Sequence, residues 1–181
     1  MLFRSEIIEL WLDSAVLFRS YRSAVPRYVG WWTQFRGAIF GDIGLLMPNV
    51  RVLADDLGAA SSYRTSYGGV EMFSGRVLPD ALLVEISLSQ APVLGLNVLQ
   101  AEEHPVSGHK VFWTNYSPKT RKMLEAAAIK NYDFFEFIGL RIASFCLSHP
   151  EEFLSATDVH SLLRQVEKRH PGLIEIGRAH V

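Results

Sequence analysis

The chain has a single cysteine, Cys146, no apolar run long enough to cross a bilayer, and no excess of either charge. One cysteine cannot close an internal disulfide, so packing has to hold the fold, and a reducing, bacterial-type cytoplasmic location is expected. The nearest approach to a membrane segment, Tyr28 to Met47, is interrupted by Gln34, Arg36 and Asp42 and falls short of about 18 apolar residues. It reads as a buried helix or helix pair with no membrane span. Eighteen Lys and Arg against nineteen Asp and Glu give a net charge of −1, which leaves no global nucleic-acid signature. The start lacks the basic, apolar, small-residue order of a secretory signal. Also missing are G-x-S-x-G, G-x-G-x-x-G, C-x-x-C and H-E-x-x-H. Their absence removes a nucleophile elbow, a dinucleotide loop, a zinc ribbon and a helical zinc pair. The sequence assigns no cofactor.

What is there suits one packed domain: 181 residues, 49% hydrophobic and 20% charged, enough to enclose a sizeable core. Both ends read as scars. Ile176 to Val181 is the translation of a common sequencing adapter in one frame, and Leu2 to Ser5 that of the end of its reverse complement. Residues 1–5 and 176–181 are therefore expected to be adapter-derived, with authentic sequence from about Glu6 to Ile174 and truncation at both ends. Arg4, Arg178 and His180 leave the list of candidates. Leu17 to Ser20 repeats the same four letters, which leaves both an adapter junction and a natural origin open, so nothing functional is placed before Tyr21.

The pattern predicts an α+β domain: N-terminal helices, a central antiparallel sheet of about three to five strands, and a C-terminal helical half packed on one face. Ile7, Leu10, Trp11, Ser14 and Leu17 recur at helical spacing, and Pro26 is expected to break that helix from the Trp31–Trp32 segment. Asp55 to Gly69 reads as a long irregular loop. Leu82, Val84, Ile86 and Leu88 alternate with Leu83, Glu85 and Ser87. A hairpin to Leu94, Leu96 and Val98 in the register Leu88–Leu94 sets Glu85 opposite Asn97. Lys110 to Tyr116 is a third strand. Ser117 as N-cap with Pro118 behind it opens a helix, a second apolar helix runs from Tyr132 to His149, and a last amphipathic one from Ser155 or Thr157 to about Arg169. It sets Val159, Leu162, Leu163 and Val166 on one side.

Few groups converge by spacing. Glu102, Glu103, His104 and His109 share one strand connection, where His104 and Glu103 are candidate metal ligands and His109 a candidate proton carrier. A polar, solvated hairpin tip accounts for them as well. Glu85 sits inside an apolar run, where an unpaired charge is costly. Asp55 and Asp56 end a strand-like segment and suit a turn. Tyr63, Arg64 and Tyr67, with Asn97, Ser117 and Lys119, are candidate binding residues: the first three by aromatic and guanidinium chemistry, the last two by the free N–H groups of a helix start. Cys146 reads as a core thiol.

The string PDALLVEIS, Pro79 to Ser87, resembles the acidic core of the PD-(D/E)XK nucleases, with Asp80 and Glu85 where that family places metal-binding acids. Ser87 stands where the family has a lysine. The resemblance implies a metal-dependent hydrolase using Glu85 and Asp80 with His104 or His109. The first expectation is different: a non-catalytic ligand-binding or protein-interaction module of a larger protein. Its partners are then missing segments of its own parent or another protein. The two readings part on whether Glu85, Asp80 and an imidazole meet in one pocket.

Overall fold

The computed structural model describes residues 7–43, 47–55, 60–153 and 156–170. Its elements are β1 (Ile7–Asp13), α1 (Ser14–Ile43), β2 (Asn49–Asp55), β3 (Ser62–Tyr67), β4 (Val70–Arg76), β5 (Ala81–Val84), β6 (Gln100–Glu103), β7 (Lys110–Asn115), α2 (Pro118–Ala126), β8 (Asn131–Tyr132), α3 (Phe134–Ser148) and α4 (Ala156–Arg169). The α+β class is as expected. In place of one sheet there are two of four strands, ordered β2-β1-β3-β4 and β6-β7-β5-β8.

The described residues open on a strand, not a helix. Ile7, Leu10 and Trp11 do recur at helical spacing, but Ile8, Leu10 and Leu12 recur at period two in the same stretch. That second set is the one fully buried. Asp13 closes β1 and starts α1, its Oδ1 accepting from the N–H groups of Ala15 at 2.9 Å and Val16 at 3.3 Å. α1 then runs through Pro26 without a break, and it serves as the crossover that the parallel pairing of β1 with β2 requires.

The expected loop after Asp55 also contains a strand. Tyr63 and Thr65 of β3 turn inward while Ser62 and Arg64 stay half-exposed. Gly68 and Gly69, both at positive φ, make the two-residue turn into β4. Two of the inward residues, Thr65 and Ser66, are polar, which hides this strand in the sequence. Asp55 lies at the end of β2; Asp56 is outside the described residues.

The expected hairpin from β5 to residues 94–98 does not form. β5 pairs with β7 and β8 instead, and residues 88–95 fold back as short turns, with Leu96 N–H bonded to the Ala91 carbonyl. Leu82 and Val84 do share a face, which Ile86, Leu96, Leu124 and Phe112 cover, while Ala81 and Leu83 face the main core. A strand buried on both sides reads as a continuous apolar run, so its partners cannot be chosen from alternation alone.

α2 begins as expected, with Ser117 Oγ accepting from Thr120 N–H at 2.9 Å and Pro118 in the first turn. α3 carries a reciprocal cap between Asp133 and Glu136. The main core lies between the first sheet, α1 and α3. Tyr28, Trp31, Trp32 and Phe35 stack along α1, and Gly139 of α3 meets them so closely that a Cβ there would lie 2.4 Å from the Trp31 ring. Cys146 is fully buried in this core, and burial pushes its thiol up to about 12. Val159, Leu163 and Val166 of α4 are exposed on one helix side; the Leu162 side chain and residue Ser155 lie outside the described residues. Among the described residues no helix is long and apolar enough to cross a membrane.

Candidate functional site

Two features near the β6–β7 hairpin concentrate the polar chemistry. The first is the hairpin tip. His104 follows β6 and is 6% exposed, whereas the His109 side chain, just before β7, is 44% exposed. Their rings stack 5.1 Å apart and nearly parallel. Ser107 Oγ lies between them, 2.9 Å from Nδ1 of His104 and 2.6 Å from Nδ1 of His109. The Val106 and Ser107 amides also donate to His104 Nδ1, each at 3.3 Å. Nδ1 is therefore an acceptor, and the ring proton sits on Nε2, which is buried without a hydrogen-bond partner among the described residues. Burial lowers the His104 pKa; Glu85 opposes that shift, and His109 and Lys130 add to it.

Glu85, one residue beyond β5, fastens this tip to the sheet. Its carboxylate lies 3.3 Å from His109 Nε2 and 3.8 Å from Lys130 Nζ, and it accepts a 3.2 Å hydrogen bond from Tyr132 of β8. Burial, with Glu85 alongside, raises the Tyr132 phenol well above its ordinary range. A second polar group joins α2 to the start of α3. Arg121 of α2, 7% exposed, reaches Glu125, Asp133 and Glu136 at 3.2, 3.5 and 3.2 Å. Burial and the neighbouring Asp133 push Glu136 up to about 7 against the pull of Arg121.

The second feature is a groove along β6, the outer strand of its sheet. One cavity, of about 480 Å³, runs between Phe73 of β4, Glu102 to Pro105, and α3 at Phe137, Arg141, Ser144 and Ser148. Another, of about 390 Å³, continues past Gln100, Glu102 and Trp113 to Arg76 and the β4–β5 connection. Arg141 donates to Tyr63 Oη at 2.6 Å and lies 4.7 Å from the Phe73 ring centre. It has no carboxylate within ion-pair distance among the described residues.

The residues nominated from sequence separate into groups. Glu85, His104 and His109 meet. Asp80 does not join them: it is exposed before β5, its carbonyl accepting from Tyr116 N–H, and five steps along extended chain, about 16 Å, separate it from Glu85. Glu103 is exposed beside the groove. No group of three metal-ligating side chains exists among the described residues, so the pattern that resembled a nuclease core does not assemble one. Tyr63 is 1% exposed beneath Arg141, not a surface aromatic. Arg64 lies over Trp11 and 3.7 Å from Asp55, and Tyr67 packs on Phe153. Asn97 and Lys119 are exposed, Asn97 well away from any pairing with Glu85, and Ser117 is a cap. Sequence spacing missed Ser107, Lys130, Tyr132 and Arg141 as members of these sites. Only the β5–β8 pairing brings Tyr132 to Glu85, 47 positions away.

The chain of contacts Ser107–His109–Glu85 has the residue types of an activated nucleophile. The Ser107 oxygen, however, is held between two imidazoles and does not line the groove. The polar side chains fasten the hairpin; the open surface is next to them.

The fold is shared with other solved structures; the nonameric EscV cytosolic domain from the type III secretion system matches with a TM-score of 0.53 at 16% identity, over 93% of this chain and 46% of that one. In a structure of the Chlamydia pneumoniae CdsV and CdsO protein complex, one chain matches with a TM-score of 0.66 at 20% identity, over 93% of this chain and 48% of that one. Nonameric EPEC SctV-C matches with a TM-score of 0.57 at 15% identity, over 97% of this chain and 49% of that one. The chain belongs to the FHIPEP family, which it matches over residues 6–177. It is 23% identical over 140 residues to the Low calcium response locus protein D of Yersinia pestis, covering 77% of this chain. The chain spans about a fifth of the length of that curated relative.

Proposed function

We propose that this chain is a cytoplasmic, non-catalytic protein-docking module of a larger export-apparatus component, and that a partner protein binds in the groove between β4 and β6. The observation that carries the reading is Arg141. Its guanidinium is fixed by Tyr63 and Phe73, faces the groove, and has no carboxylate of the described fold to pair with. A partially desolvated guanidinium held in place is suited to a carboxylate on another protein. Family membership supports the setting, as does CdsV being found in complex with CdsO and SctV-C as a nonamer. The partners are then other cytoplasmic proteins of an export apparatus, and the full-length parent assembles as a ring.

The test is a calorimetric titration of the counterpart of CdsO from the same organism into this chain, with Arg141→Glu and Ser148→Trp as groove variants. Both are expected to weaken binding about tenfold or more, as loss of a binding hot spot does, with unfolding midpoints near that of the parent. Binding that ignores both substitutions contradicts the reading.

A further inference from the structure

Among the described residues β6 is hydrogen-bonded on one side only, to β7. In an antiparallel ladder, pairs that exchange both backbone hydrogen bonds alternate with pairs that exchange none. The His104 N–H donates to the His109 carbonyl at 2.9 Å, which makes that a bonded pair. Counting back by twos puts Glu102 and Gln100 in the same class in the observed register. Ala101 and Glu103 fall between them, so their N–H and C=O groups point off the edge. No other backbone group among the described residues bonds them. The open space runs the length of the strand, since the two cavities together border Gln100, Glu102, Glu103 and His104. On its far side stands β4, the outer strand of the other sheet.

We infer that a partner protein adds an extended, basic segment as a further strand on the free edge of β6. The inference rests on the docking role proposed above and adds to it: the strand's own side chains meet the acids of β6, while Arg141, across the groove on α3, takes a carboxylate that the partner carries outside that strand. Strand addition draws affinity from exposed backbone groups and selectivity from side chains at alternate positions. At this edge the alternate positions are Ala101, which leaves room for a large apolar side chain, and Glu103, which is exposed and forms no ion pair among the described residues. A lysine or arginine opposite Glu103 makes a favourable cross-strand pair. The same acids exclude a second copy of β6, because Glu102 and Glu103 of two edges repel. The occupant is thus a different, positively charged strand.

Three fluorescein-labelled six-residue peptides test this by anisotropy against the full chain at low salt: alternating Lys-Val, alternating Glu-Val, and Lys-Val with every second amide N-methylated. The Lys-Val peptide is expected to bind, the Glu-Val peptide not. N-methylation on the pairing side should cost at least about tenfold, as two or more backbone hydrogen bonds are lost. Ala101→Pro removes only the outward N–H and leaves the ladder to β7 intact; it should weaken the Lys-Val peptide by about three- to tenfold. Glu103→Lys should shift the preference toward the Glu-Val peptide. No binding of the Lys-Val peptide, or equal binding of its methylated form, overturns the inference; the methylated peptide decides the matter on the parent chain even if Ala101→Pro fails to fold. Should Arg141→Glu weaken the CdsO counterpart while Ala101→Pro does not, docking in the groove stands and strand addition falls.

Discussion

The seam between α1 and α3 and the seam that fastens the β6–β7 hairpin are built from opposite materials. The first is a stack of Tyr28, Trp31, Trp32 and Phe35 against Phe135 and Gly139, held by area removed from water and by shape. The second is a set of ionisable groups, Glu85 with His109, Lys130 and Tyr132, continued one residue past Tyr132 by the Arg121, Asp133 and Glu136 group that joins α2 to the start of α3. Apolar packing does not depend on proton activity, whereas the polar seam does. The groove opens beside the polar seam, so the part of the molecule that offers a docking edge is the part whose hold on the sheet is set by charge.

The sharpest way to break that comparison is to remove the central cation of the polar seam. Arg121→Ala leaves the buried Glu136 and the half-buried Asp133 without their partner and is expected to cost about 3–5 kcal/mol above pH 7. The loss should be smaller below it, where Glu136, pushed up to about 7, takes up a proton; urea unfolding at pH 8 and pH 5 reads both values. In the apolar seam, Gly139→Ala places a methyl 2.4 Å from the Trp31 ring, within a stack that has little room to move. About 1–3 kcal/mol is expected, and a loss of equal size at both pH values would mark it as a packing effect.

The two titrations within the polar seam run in opposite senses. The Glu136 carboxyl is raised in the fold, so what it contributes is complete below its ordinary value of 4.5 and fades as pH rises through about 7. His104 is lowered by burial, so its contribution is present above the ordinary histidine value of 6.5 and is lost as pH falls below that. Glu136→Gln should therefore remove the decline between pH 4.5 and 7, and His104→Gln should flatten the acid side. Melting midpoints across pH 4 to 8 separate them; identical profiles for both variants would contradict the assignment. The smallest effect is expected from Tyr132→Phe, which deletes one hydrogen bond to Glu85. About 1 kcal/mol is expected from the chemical melt, with exchange of the hairpin amides quickened more than that of α3.

Which parts of this were legible in the sequence follows from what each element depends on. The α2 start, α3 and β7 are set by local signals, a Ser-Pro cap or an apolar run, and were readable. β1 was not, because one stretch satisfies both a helical and an alternating pattern, and only pairing with β2 and β3 decides between them. The partners of β5 were hidden for the same reason. Of the candidate site, Glu85 and the two histidines could be named because charge inside an apolar run, and imidazoles in a short connection, are visible locally. Tyr132 and Arg141 could not, since each reaches its place through a contact spanning 47 or 78 positions.

The most direct test of the docking account is amide hydrogen exchange of this chain with and without the CdsO counterpart from the same organism. The account predicts slowed exchange at Ala101 and Glu103 and along α3 from Arg141 to Ser148, with α1 unchanged. Protection confined to α4 or α1, with β6 exchanging as fast as in the free chain, would contradict it.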